Sequence, residues 1–198
     1  MPSSGPLSTV EGTAHQPRKD IMTKRLEGKK IAFLLTDGFE DSELTSPWNA
    51  VTEAGATAEL VAPAAGSVEG KKGHTQDVDV TAGSADAADY DALVLPGGTA
   101  NADALRMEED AVALTRAMVA AGKPVAVICH GAWILTEADA VKGRRMTSYP
   151  SLKTDLRNAG ATWVDEEVVV DTAGPLVSSR TPEDLPAFNR ELVEAFAG

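Results

Sequence analysis

"MVAAGKPVAVICHGAWIL", residues 118–135, decides how this chain folds. An apolar-periodic helix pattern ends at Gly122. A strand-like run, Val125–Ile128, resumes within three residues, and a second helix-like pattern begins directly after Cys129, His130 and Gly131. Glycine one position past a helix end can take positive φ and turn the chain back toward a sheet. The same device stands at Gly55, between "DSELTSPWNAVTEAG" (41–55) and "ATAELVAP" (56–63), and at Gly160 in "LRNAGATWVD" (156–165). "KIAFLL" (30–35) and "DALVLPGG" (91–98) are short apolar runs of the kind buried on both faces of a sheet. Helices alternating with such strands require parallel crossovers, which predicts one α/β sandwich with a mostly parallel sheet.

The remaining stretches fit around that frame. "GSVEGKKGHTQDVDVTAGS" (66–84) is rich in glycine and charge and reads as a surface hairpin or edge strand. "EEVVVD" and "LVSS" bracket "TAGP" (172–175), a second hairpin signal. "TPEDLPAFNRELVEAF" (181–196) predicts a C-terminal helix with Thr181 as N-cap, Pro182 first and Asp184 completing a capping box. Leu44, Trp48 and Val51 share one helical face, so Pro47 must lie near that helix's start or kink it. Residues 1–28 are rich in Pro, Ser and Gly, lack a secretory apolar core, and are expected to form a flexible tail before a domain spanning 29–198. Met22 is an alternative start, and His15, within the tail, carries no assigned role.

Composition narrows the function classes. With 18 basic against 30 acidic residues the net charge is -12, which repels phosphate backbones and anionic lipid, so neither nucleic acid nor membrane is an expected partner. A single cysteine forms no internal disulfide and fits a reducing cytoplasm. The three histidines stand far apart and show no metal-ligand spacing, so no metal is expected.

A lone cysteine in a strand is ordinarily a small core residue. What sets Cys129 apart is its company. In open parallel sheets the loops after the strands' carboxyl ends gather at one edge, and ligands bind there. One such loop, "DGFEDSEL" (37–44), brings Glu40 and Glu43, three apart and so on one side of a helical first turn. A second brings Gly97, Gly98 and Asp103, and a third Cys129, His130 and Gly131. Macrodipole acids, a plain turn and a packing histidine would each be ordinary alone; together, at matching strand ends, they indicate a site. The step through "ICHG" (128–131) resembles a nucleophile elbow, with Gly131 leaving room for tight packing. Such an elbow predicts strained dihedrals at Cys129, and a helix N-terminus predicts a thiol pKa below the ordinary ~8.5. His130 is placed to shuttle protons, and the amides of Gly98 and His130 to hold an oxyanion.

The stretches "GFEDSEL", "DALVLPGG", "GKPVAVICHG", "GRRMTSYPSLKTDLRNAGATWVDEEVVVD" and "LVSSRTP" together resemble the PfpI-type intracellular peptidase family. That family lies within the class I glutamine-amidotransferase-like superfamily, which includes the parkinsonism-associated protein deglycase. The resemblance runs from about Lys29 to the C-terminus. It implies a flavodoxin-like three-layer α/β fold, a homodimer or higher homo-oligomer, and no cofactor. It further implies that Cys129 is the nucleophile beside His130, that a protonated Glu43 hydrogen-bonds the thiolate, and that Glu40 is a second pocket acid. Peptidase-like members complete a triad with a glutamate from a neighbouring subunit; Asp103 stands near that place, one methylene shorter, which favours a small carbonyl substrate over a peptide.

The expectation is therefore a stress-related cysteine hydrolase or lyase acting on a carbonyl group, as peptidase, amidase, deglycase or glyoxalase. The competing reading is an oxidative-stress sensor or chaperone working through oxidation of Cys129. A glutamine amidotransferase subunit is excluded, because no histidine follows residue 131.

Overall fold

The computed structural model describes residues 25–198. Along the chain run β1 (Lys30–Leu34), α1 (Asp41–Glu53), β2 (Thr57–Ala62), β3 (Ser67–Glu69), β4 (Thr75–Asp77) and β5 (Val80–Thr81). Then come β6 (Ala92–Leu95), α2 (Thr99–Leu105), α3 (Glu109–Ala120), β7 (Val125–Ile128), α4 (Trp133–Glu137), β8 (Arg145–Met146) and α5 (Lys153–Asn158). The chain closes with β9 (Thr162–Trp163), β10 (Val168–Asp171), β11 (Leu176–Ser179) and α6 (Leu185–Ala197). Seven strands form the central sheet in the order β10-β11-β7-β6-β1-β2-β5. All its neighbours pair in parallel except β10, which forms the expected antiparallel hairpin with β11. The 66–84 stretch supplies both alternatives read from it, a β3–β4 hairpin and the edge strand β5.

The apolar runs are continuous because both sheet faces are covered. Ile31 and Phe33 of β1, and Leu35 just past it, enter one core with Leu44 and Val51 of α1 and Phe188 and Leu192 of α6. Ala32 and Leu34 enter the other, with Leu114 and Met118 of α3 and Ile134 and Leu135 of α4. This alternation makes a three-layer sandwich.

The helix-to-strand turns are built as the glycines indicate. Gly55, Gly122 and Gly160 have φ of 98°, 69° and 97°. In each turn the glycine N–H bonds three residues back and the next N–H five back, the paired bonds of a Schellman motif. A fourth copy ends α4, with Asp139 at φ 54° in the glycine's place. The sequence hid it because aspartate tolerates that conformation without announcing it.

Two expectations need correction and a third narrows. Thr181 makes no side-chain cap; Pro182–Asp184 forms a 3₁₀ turn, and the Asp184 carboxylate instead accepts from the Arg180 N–H (3.1 Å) and guanidinium. Of the two readings of Pro47, the structure removes the helix start and leaves the kink: it stands seventh in α1, beyond the first turn, and is buried. The tail expected over 1–28 lies mostly outside the described residues, but its end is packed: Leu26 is fully buried and its N–H bonds Ala54 O at 2.8 Å. The folded domain thus includes residues before Lys29.

The winding direction reverses between β1 and β6: β2 lies on one side of β1, and β6, β7 and β11 follow on the other. The loops after β1, β6 and β7 meet at this switch point, where open α/β sheets place ligands. Because Leu26 joins the α1–α6 core, Leu26→Ala should lower stability by about 2–5 kcal/mol in urea unfolding. A loss under about 0.5 kcal/mol would show that this segment does not pack.

Candidate active site

The strand-end loops approach so closely that side chains are excluded between them. A Cβ on Gly131 would stand 2.5 Å from Leu95 O, so the 3₁₀ turn Cys129–Ala132 presses on the end of β6. A Cβ on Gly97 would meet Cys129 Cβ at 2.6 Å on one side and the Glu43 carboxylate on the other. The thiol stem and the carboxyl therefore face each other across Gly97. Asn101, fully buried, fastens the loops by donating to Pro96 O (3.1 Å) and Gly97 O (2.9 Å) and accepting from Thr36 N–H (2.7 Å).

Cys129 has φ 62°, the strained conformation an elbow requires. For a residue with a Cβ this costs on the order of 1–2 kcal/mol. The strain turns the thiol off the strand direction toward Glu43. The backbone amides of Gly98 and His130 lie close enough to the sulfur to favour its anion. Cys129 O accepts from Tyr149 N–H at 3.1 Å, which anchors the turn from behind.

Glu40 is the N-cap residue of α1, and Glu43 lies in its first turn. Their surroundings drive them apart. Glu43 is fully buried; one oxygen accepts from Gly97 N–H at 2.8 Å, and the other, Oε1, is sealed from solvent without a hydrogen-bond partner of good geometry. Burial pushes the Glu43 pKa up to about 7. Glu40 is also buried, but Lys71 and Lys72 ion-pair with it and, outweighing the effect of burial, hold its pKa below the usual range. One pocket thus holds a permanent carboxylate and a proton-exchanging one.

The expectation of a thiol pKa below the ordinary value does not hold. Burial first, and the Glu43 charge second, push the Cys129 thiol up to about 12 against the pull of the Gly98 and His130 amides. The helix after it is too short to reverse this: a 3₁₀ turn and the five residues of α4. Glu43 and Cys129 behave as a pair with one proton between them above pH 7. The sulfur becomes anionic when Glu43 takes that proton, and Oε1 is the vacant position for it.

His130 Nδ1 lies 3.2 Å from Cys129 Sγ, and Nε2 lies 3.3 Å from Ser151 Oγ and 3.5 Å from Thr99 Oγ1. Burial, then the charge of Lys71, lowers its pKa, so the ring is neutral near pH 7. It is clamped between Tyr149, stacked at 4.4 Å, and Trp133, edge-on at 5.4 Å. Asp103 is not brought into this group: it lies exposed on α2. Lys71, Lys72, Tyr149, Trp133, Ser151 and Thr99 were not singled out from the sequence. The two lysines belong to the 66–84 stretch, whose glycine and charge content reads as a surface hairpin or edge strand and gives no sign of a site. Hydrogen bonds from Glu69 N–H to Asp37 and from Lys72 and His74 N–H to Asp41 fold that hairpin over the loop after β1. Among the described residues no group of three or more His, Cys, Asp or Glu could hold a metal ion, and no helix is long and apolar enough to cross a membrane.

Raising Glu43 from the ordinary 4.5 to about 7 has a sign. The folded state holds the proton more tightly than the unfolded chain, so this contribution is present at low pH and lost as pH rises toward 7, at about 3 kcal/mol. Glu43→Gln, neutral at all pH, should therefore gain about 2–3 kcal/mol relative to wild type between pH 5 and pH 8, measured by denaturant unfolding. An equal effect at both pH values would show that Glu43 is charged throughout.

This chain is similar to known proteins along nearly all of its folded length. The profile of the DJ-1/PfpI family matches residues 29–195. A deglycase of Pyrococcus horikoshii is 46% identical over 165 residues, which cover 83% of this chain and 98% of that protein. Protein/nucleic acid deglycase 2 of Escherichia coli is 48% identical over 165 residues, covering 82% and 95%. A solved two-domain protein of Anabaena variabilis, with DJ-1/ThiJ/PfpI-like and ferritin-like domains, aligns with a TM-score of 0.81 at 34% identity. That alignment covers 84% of this chain and 47% of the other, so this chain spans about half of its length. With the family profile spanning residues 29–195 and relatives alike over most of both chains, the chain belongs to the DJ-1/PfpI family.

Proposed function

We propose that the protein is a cysteine hydrolase or lyase that needs no cofactor and acts on a carbonyl carbon, as a deglycase or glyoxalase toward methylglyoxal and its adducts. The observation that carries this reading is the buried thiol at φ 62°, held between the Glu43 carboxyl and two backbone amides. The names of its relatives support it. The thiol proton passes to Glu43 as the sulfur attacks the carbonyl carbon, and the carbonyl electron pair moves onto oxygen. The Gly98 and His130 amides, which lie against the sulfur in the resting protein, meet the oxyanion. With methylglyoxal the oxyanion takes a proton from Glu43 or His130 to give a hemithioacetal, whose C1 proton moves to the neighbouring carbonyl carbon as that oxygen is protonated, leaving a lactoyl thioester that water hydrolyses to lactate and free thiol. From an amine adduct, the proton held by Glu43 or relayed through His130 leaves with the departing amine, and water again releases the thiol.

Asp103, one methylene shorter than the glutamate of peptidase-like members, favours a small substrate; among the described residues, the acids that border the thiol are Glu43 and Glu40. In a homodimer, which we infer as the working form, Asp103 is free to serve the neighbouring site. Wild type and Cys129→Ser should be incubated with methylglyoxal, with a glycated amine and with a fluorogenic peptide. Methylglyoxal and adduct turnover should fall at least about 10³-fold in the variant, with little peptide cleavage in either. Turnover with none of them, alongside rapid oxidation of Cys129, would favour the sensor.

The pH profile is a second check. Alkylation of Cys129 by iodoacetamide should rise with pH through about 7, where the pair loses its first proton, and then level off. Glu43→Leu should abolish that inflection and lower reactivity at pH 7.5 more than tenfold. Glu43→Gln should lose the inflection but keep more reactivity, because its amide still donates to the sulfur. An unchanged profile in both variants would mean that Glu43 does not share the proton.

A further inference from the structure

Beside the amino ends of β7 and β11, at the sheet edge opposite Cys129, lies a cavity of about 170 Å³. Val119, Val125, Leu135 and Leu176 contribute its apolar lining. The charged side chains among its lining residues are two cations, Lys123 and Arg144. Neither forms an ion pair with a carboxylate among the described residues. Lys123 donates to Ala87 O and Tyr90 O, and Arg144 donates through one terminal nitrogen to Gly174 O. The lack of a side chain on Gly174 lets the guanidinium lie against the hairpin loop at the cavity's rim. The acid at the start of that loop, Asp171, accepts instead from the N–H groups of Arg145 (3.3 Å) and Ala173 (3.1 Å). In a chain of net charge -12, a cavity lined by cations and by no acid departs from the rest of the molecule.

We propose that this cavity binds a small monocarboxylate with a short apolar tail. The free edge of the Arg144 guanidinium takes the carboxylate, a planar match that an ammonium lacks. Val125, Leu135 and Leu176 enclose the tail. Size restricts the class: a cavity of about 150 Å³ accepts a ligand of about six non-hydrogen atoms, and drug-sized pockets begin near 300 Å³. Butyrate, with six non-hydrogen atoms, is the matched probe, and butyramide is its uncharged isostere.

Butyrate should bind the wild-type protein saturably, with a dissociation constant on the order of 1 mM by calorimetry or by titration of amide NMR signals. Signals of Val125, Leu135 and Leu176 should move, while the Cys129 alkylation rate stays constant. Arg144→Met should weaken binding at least tenfold, and butyramide should bind wild type at least tenfold more weakly than butyrate. Ala140→Leu, which fills the cavity from its wall, should abolish binding, and thermal unfolding without ligand reports whether each variant is folded. Absence of saturable binding to wild type overturns the proposal. So does equal binding of butyramide, or butyrate binding that survives both substitutions and slows Cys129 alkylation.

Discussion

Two negative charges cannot share one dry pocket, and the catalytic end of this protein is organised around that limit. Glu43 and Cys129 face each other across Gly97, both removed from water, with one proton between them above pH 7. A solvated thiol would ionise by itself; here ionisation of the sulfur requires the carboxyl to become neutral. That requirement fixes where Glu43 must sit, why Gly97 must lack a side chain, and why Glu40 needs counter-ions of its own. Lys71 and Lys72 pair with Glu40, and the Lys71 charge opposes the push that Glu40 exerts on Glu43.

Strain and packing are coupled in the same place. Cys129 holds a backbone conformation disfavoured by on the order of 1–2 kcal/mol, and the fold supplies the compensation. Ala126 and Ile128 on one face of β7, and Val125 and Val127 on the other, are buried in two separate cores, which locks the strand to its last residue. Gly131 lets the following turn press on the end of β6, and the Tyr149 amide holds the Cys129 carbonyl. Between strand and turn the chain has one way through, and it points the thiol at Glu43. The DJ-1/PfpI architecture is, at this point, a device for holding one side chain off its natural direction.

Much of this was legible in the linear chain, for local reasons. Gly55, Gly122 and Gly160 declare their turns because no other residue takes positive φ so readily, and the apolar runs of β1, β6 and β7 declare burial on two faces. Where a less committed residue plays the same part, the signal vanishes, as at Asp139, which closes α4 with the same pair of bonds. Leu26 looked like part of a tail because one leucine makes no periodic pattern, and its burial depends on Ala54 and on α6 arriving from elsewhere in the chain. Thr181 and Asp184 matched a capping pattern, but Arg180 competed for the carboxylate and won with a charged donor.

The sequence by itself determined the α/β class, the parallel sheet, the two hairpins, and the convergence of Cys129, His130, Gly98, Glu40 and Glu43 at one strand-end edge. These follow from short-range rules of periodicity, glycine turns and handed crossovers, each of which reads a few neighbouring residues. Only the tertiary structure decided the protonation chemistry. Burial of Cys129 and Glu43 depends on three loops and a hairpin distant in sequence closing over them, and desolvation acts on charge more strongly than the short helix that follows the thiol. The chain names the groups that meet at this edge; the depth at which they are buried sets which of them holds the proton.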